Sequence, residues 1–156
     1  MTLLSISHLR QSQQADCLAA CAQMVLRYFQ IPISYARLLE VLETEQSGSY
    51  FSKLKNLESE LGLSIELAQA NENLDALYSY LDQALPIIAY VNTGQLRSYW
   101  EVTTFHAVII TGLDDEFVYL NDPYFDDAPK EVPRDEFILA WLEQDFWYVV
   151  IRLAEP

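Results

Sequence analysis

Apolar residues recur along the chain at two spacings, and the change between them falls near its middle. In the first half the spacing is three-and-four. Leu18, Cys21, Ala22, Val25 and Phe29 mark one face of a helix that opens at Cys17. Asp16, just ahead, is the expected N-cap, its carboxylate accepting from the free N–H groups of the first turn. Ile31-Pro32-Ile33 breaks the pattern, and a second helix is predicted from Ser34, with Tyr35, Leu38, Leu39 and Leu42 on one face. Gly48-Ser49 punctuates before a third helix carrying Tyr50, Leu54, Leu57 and Leu61, with Gly62 as its C-cap. Leu63, Ile65 and Leu67 alternate as in a half-buried strand, and Asn73 starts a fourth helix with Leu74, Leu77, Tyr78 and Leu81.

From Pro86 onward the pattern is that of strands. Ile87-Ile88-Ala89-Tyr90-Val91 is a short continuous apolar run, as in a strand covered on both faces. After a polar, aromatic-bearing loop (92–104) come strands from Phe105 to Thr111 and from Glu116 to Asn121. Pro133 to Glu143 reads as a short helix, Phe146 to Leu153 as a last strand, and Leu3 to Leu9 as an extended opening segment. Helices early and strands late predict an α+β fold, a helical lobe packed against an antiparallel sheet, with the Cys17 helix at the seam. A chain of 156 residues without linker or repeat predicts a single domain, 1–156.

Charge narrows the partners. Acidic residues outnumber basic ones 23 to 9, a net charge of −14 that repels phosphate backbones and anionic membrane surfaces. Nucleic acid is excluded on that ground, and a neutral or basic peptide fits better. No apolar run approaches the roughly 20 residues that span a bilayer. The N-terminus lacks a basic region and a small-residue cleavage site, so a cytoplasmic location is expected.

Cys17 and Cys21 are the only cysteines. Four apart on one helix they are poorly placed for a disulfide, and the spacing misses C-x-x-C, so no metal and no cofactor are expected. Cys17 stands in the first helical turn, where the positive helix end lowers a thiol pKa from about 8.5 to between about 3.5 and 7.5 in known cases. A small apolar core residue is the competing reading. A thiol nucleophile needs a base, and His106 is the candidate; His8 reads as a surface or strand histidine without a partner. A three-residue loop, Leu113 to Asp115, sets His106 opposite Asp122, whose carboxylate would hold the imidazole's tautomer, whereas a two-residue loop sets it opposite Pro123. Asn121-Asp122-Pro123 is also an ordinary turn sequence. For the oxyanion, the Cys17 N–H and a side-chain amide from Gln11, Gln13 or Gln14 all qualify.

These residues come in a telling order. Gln11, then Asp16-Cys17-Leu-Ala-Ala, Gly48-Ser49, Pro86-Ile87-Ile88, His106-Ala-Val-Ile-Ile-Thr-Gly112, Leu120-Asn121-Asp122-Pro123 and Glu136-Phe137 with Trp141 resemble the bacteriocin-processing cysteine peptidase family. That family comprises papain-like domains attached to peptide exporters and free-standing relatives. The resemblance implies a papain-like cysteine peptidase fold with Cys17 as nucleophile, His106 as base and then acid, Asp122 as orienter and Gln11 as oxyanion donor. It implies cleavage of leader peptides after a double glycine. Two departures stand out. Leu18 replaces the glycine usual after the nucleophile, where its branched side chain is expected to narrow the cleft or to change what fits it. No exporter domains follow, so a free-standing domain with an exporter or other partner protein in trans is expected. Tyr99-Trp100, just before His106, reads as a cleft wall or as ordinary packing. The competing functions are an acyl transferase or amidase using the same thiol, and a peptide-binding module that does not cut.

Overall fold

The computed structural model describes residues 3–154, so Met1, Thr2, Glu155 and Pro156, the ends of the expected 1–156 span, lie outside it. Helix α1 spans Cys17–Tyr28, and every residue from Leu18 to Leu26 in it is buried. A helix apolar on all sides belongs in the interior. Its alanines let it lie close to its neighbours.

Helix α2 spans Tyr35–Val41, capped by the Ser34 hydroxyl, which accepts from the Arg37 N–H. A 3-10 segment, Phe51–Asn56, runs into α3, Leu57–Leu61, which stops at Gly62 in the left-handed conformation (φ 66°). The expected third helix is therefore 3-10 in its first half. Strand β1 is Ser64–Gln69, and α4 is Asp75–Asp82, entered through the Asn73 carboxamide oxygen, which accepts from the Asp75 N–H.

The remaining strands are β2 (Ile87–Asn92), β3 (Phe105–Leu113), β4 (Phe117–Asn121), β5 (Lys130–Pro133) and β6 (Trp147–Arg152), with α5 at Arg134–Leu142. All six form one antiparallel sheet in the order β1-β6-β2-β3-β4-β5. Strand β5 carries one buried residue, Val132, and ends in proline, which is why apolar alternation did not reveal it. Leu3 to Leu9 forms no strand; it touches the sheet through Leu3 against Gly112 and a 2.7 Å bond from the Leu4 N–H to the Thr111 oxygen.

The sheet is covered on both faces, not one. Ala107, Ile109, Ile88 and Val149 pack against α1, α2 and α3, while Val108, Ile110, Leu120 and Val150 pack against α4 and α5. Among the described residues no helix is long and apolar enough to cross a membrane.

The β3–β4 register differs from expectation. Leu113 pairs with Val118 and Gly112 with Tyr119, then a bulge at Thr111 shifts the ladder so that Ile110 pairs with Leu120 and Ile109 with Asn121. The turn falls late because the Asp114 carboxylate accepts from the N–H groups of Glu116 (2.9 Å) and Phe117 (2.8 Å). Continued past Asn121, this ladder sets Asp122 opposite Val108 rather than His106. Val108 and His106 are two apart, so they share a face, and a diagonal neighbour on that face is still within side-chain reach.

Candidate active site

Helix α1 runs along β3. The Cys21 thiol donates to the Ala107 carbonyl oxygen at 3.4 Å, and one turn upstream Cys17, half-buried, stands beside His106. Burial works against a thiolate at Cys17. The hydrogen bond and the charge of His106 outweigh it, and the thiol pKa falls below its ordinary value.

Leu18 points the other way. It is 3% exposed and packed in the core beside α2 and α3, so it does not narrow a cleft as expected. A helix rotates its next side chain by about 100°, and that rotation takes Leu18 inward.

Asp16 also departs from expectation. It occupies the N-cap position, but with φ −96° and ψ 12° it lacks the extended backbone of a side-chain cap and makes no cap hydrogen bond. Its buried carboxylate accepts instead from the Tyr35 hydroxyl at 3.2 Å. Asp16 therefore leaves the first-turn N–H groups beside the Cys17 sulfur uncapped.

His106 opens β3 next to Phe105, across from Val91 of β2, and is 3% exposed. Its Nε2 lies 2.7 Å from Asp122 Oδ1, leaving Nδ1 as the ring nitrogen for the sulfur. Asp122, fully buried, has partners on both oxygens. Oδ1 also accepts from the Tyr124 N–H at 3.0 Å, and Oδ2 accepts from the Tyr99 hydroxyl and the Trp100 Nε1–H, both at 2.8 Å. Burial alone would neutralise this carboxyl; the charge and hydrogen bond of His106, then the bonds from Trp100 and Tyr124, hold its pKa low. Burial likewise opposes charge on His106, but the Asp122 charge and hydrogen bond, followed by the Cys17 contact, push its pKa up to about 9. The arrangement favours an imidazolium beside a thiolate.

Cys21 is the contrast. Burial, then the charges of Cys17 and Asp122, push its thiol well above the ordinary range.

Of the three glutamines, Gln13 and Gln14 are exposed and Gln11 is buried at 8% exposure. The Gln11 backbone N–H donates to the Pro123 carbonyl at 2.7 Å, tying the segment before Cys17 to the end of β4. Its side-chain Nε2 donates to the carbonyls of Gln13 (2.8 Å) and Gln14 (2.9 Å), folding over that segment, while Oε1 is buried without a hydrogen-bond partner. His8 does have a partner, contrary to expectation. Half-buried, its Nε2 sits 2.6 Å from the Phe125 carbonyl oxygen, away from the thiol.

Tyr99 and Trp100 form no wall; both turn inward to Asp122, and Trp100 presses edge-on to His106 with ring centroids 4.9 Å apart. Their role was missed. A buried carboxylate must find donors, and a Tyr-Trp pair in the loop leading to its histidine is where to look.

The model of the peptidase C39 family matches residues 5–152. The transport/processing ATP-binding protein ComA of Streptococcus pneumoniae (strain ATCC BAA-255 / R6) is 26% identical over 132 residues, covering 84% of this chain but 17% of ComA. The chain thus spans a small part of that relative's length. Among solved structures, the peptidase domain of Streptococcus ComA, a bifunctional ABC transporter involved in a quorum-sensing pathway, superposes with a TM-score of 0.77 at 17% identity, covering 96% of this chain and 100% of the domain. A double glycine motif protease from the AMS/PCAT transporter, solved in complex with the leader peptide, superposes at 0.73 and 17% identity, covering 98% of this chain and 95% of that one. At such identity these likenesses are of fold.

Proposed function

The chain belongs to the peptidase C39 family and is a cysteine peptidase of papain-like fold, and on that premise we propose that Cys17 is its nucleophile, His106 its base and acid, and Asp122 the orienter, acting on a leader peptide cut after glycine. The observation that carries the assignment is the buried His106–Asp122 pair, Nε2 to Oδ1 at 2.7 Å, standing beside the Cys17 thiol whose pKa His106 lowers.

The Cys17 thiolate attacks the scissile carbonyl carbon, and the negative charge moves onto the carbonyl oxygen. That oxygen is met by the Cys17 N–H and by the Gln11 amide, which releases one of its two loop carbonyls to reach it. Collapse breaks the C–N bond, His106 gives its proton to the departing amine, and an acyl-thioester remains on Cys17. Neutral His106 then takes a proton from water and the hydroxide attacks the thioester; thiolate is expelled, the carboxylic acid product leaves and gives its proton to solvent, and the thiolate and imidazolium are restored.

The glycine preference is supported by the bulk around the sulfur. Tyr90 lies close enough to Cys17 that its phenol pKa is raised first by burial and then by the Cys17 charge. Its ring packs 5.2 Å from Phe51 and 6.1 Å from Phe105, which is 62% exposed beside His106. Such walls leave a residue at the cut little room for a side chain. The transport/processing relative and the transporter protease solved with its leader peptide support a leader peptide as substrate and an exporter as partner.

Mass spectrometry of pure protein incubated with peptides carrying Gly-Gly, Ala-Ala or Leu-Leu at one position tests this. Cleavage after Gly-Gly, lost in the other two, is expected. Indifferent cleavage would overturn the glycine preference, adducts with added amines would point to acyl transfer, and bound but intact peptide would overturn turnover altogether.

A further inference from the structure

We propose that Tyr99 and Trp100 are positioning residues of the reaction, holding the far oxygen of Asp122 through the phenol O–H and the indole N–H so that its near oxygen stays aimed at His106. The inference rests on Cys17, His106 and Asp122 being the reacting set. Asp122 is fully buried, so its Oδ2 is shut off from bulk solvent and accepts from these two donors at 2.8 Å. A carboxylate held on one oxygen alone is free to turn about its Cβ–Cγ bond. Held on both, it presents one lone pair to the imidazole.

The donors sit on a fixed frame. The Thr93 hydroxyl, buried, donates to the carbonyls of Val102 (2.6 Å) and Thr104 (3.1 Å) and accepts from the Thr104 N–H (2.8 Å), closing the neck of the loop. The Trp100 N–H returns to the Leu96 carbonyl at 2.9 Å. Gly94 permits the close approach, since a Cβ there would stand 2.9 Å from the Thr103 hydroxyl. Trp100 also lies 4.6 Å from the Tyr124 ring, so Tyr124, Trp100 and His106 form one cluster of tilted and edge-on rings beside the carboxylate's partners.

Other ionisable groups around the pair are few. Cys17 and Cys21 face it from α1, and Tyr90 faces Cys17 from β2. Lys130 of β5 lies 5.4 Å from the Tyr99 ring and is paired with Asp127, and Glu136 of α5 acts on Tyr99 electrostatically. Burial and then the Asp122 charge raise the Tyr99 phenol far above its ordinary pKa, so it remains a donor throughout the working range.

Donors on Asp122 drain charge that would otherwise stabilise the imidazolium. Removing one raises the basicity of the carboxylate and, through it, the pKa of His106. Tyr99→Phe deletes one oxygen and keeps the ring; Trp100→Phe deletes the indole donor. The His106 imidazole is titrated by NMR in the intact protein, with His8 as the only other histidine to separate. In both variants its midpoint is expected to rise above the wild-type value of about 9 by about half a pH unit to one unit. kcat falls severalfold while KM stays within about twofold, as for a group acting in the transition state. Slower turnover with an unmoved His106 midpoint would assign the two residues a packing role and overturn the proposal. A wild-type His106 titrating near its ordinary value would instead overturn the catalytic assignment on which the proposal stands.

Discussion

The first two turns of α1 each carry a thiol, and the two are opposites. Cys17 is half-buried with its pKa lowered, and Cys21 is buried with its pKa raised. Both lie on the same helix and both are desolvated. The difference is the partner: Cys17 meets an imidazole backed by a buried carboxylate, and Cys21 meets the carbonyl of Ala107. A helix end alone does not separate the two thiols; the strand that brings His106 to one of them does.

Substitutions break that comparison from one side or the other. Cys17→Ala is expected to abolish peptide cleavage, read by mass spectrometry, and residual cleavage would dismiss the assignment. His106→Ala is expected to cost about 10²–10⁴ in kcat/KM, the usual range for a positioned acid–base group, and to return the Cys17 thiol to the behaviour of an ordinary one. Gln11→Ala is expected to lower kcat by about 10²–10³ if its amide meets the oxyanion; an unchanged kcat would leave it the keeper of the 11–16 segment.

The pH profile sharpens the contrast further. On the proposed assignment activity requires thiolate and imidazolium together, so kcat/KM measured against pH is expected to fall at low pH as Cys17 takes a proton and at high pH as His106 loses one near 9. Asp122→Asn removes the largest favourable influence on the imidazolium and is expected to move the alkaline limb down by about one unit or more. The smallest effect belongs to Cys21→Ala. Turnover stays within about twofold, and thermal unfolding registers a loss of about 1 kcal/mol, typical of a single core change.

Periodicity made α1 legible, and with it the placing of Cys17 in a first turn. His106 at the head of a strand was legible for the same reason, because the apolar run after it continues for several residues. What escaped was set by single polar contacts. The Asp114 carboxylate delayed the β3–β4 turn and the Thr111 bulge restored the face, so Asp122 reached His106 by a different register from the one expected. Asp16 looked like a cap but turned to Tyr35, nineteen positions along the chain. Local sequence preference carries no information about such a distant hydroxyl. Leu18 stood next to Cys17 in sequence and in the core in space, as helical rotation dictates. The donors Tyr99 and Trp100 were visible as residues but not as donors, because the demand for them arises only once the carboxylate is known to be buried.

The most direct measurement of the central claim is the rate of Cys17 alkylation by iodoacetamide as a function of pH, followed by peptide mass mapping in wild type and His106→Ala. The account predicts that wild-type Cys17 is alkylated readily at pH 6 while Cys21 is not, and that His106→Ala moves the Cys17 midpoint up to the range of an ordinary buried thiol. Identical midpoints in the two proteins would contradict it.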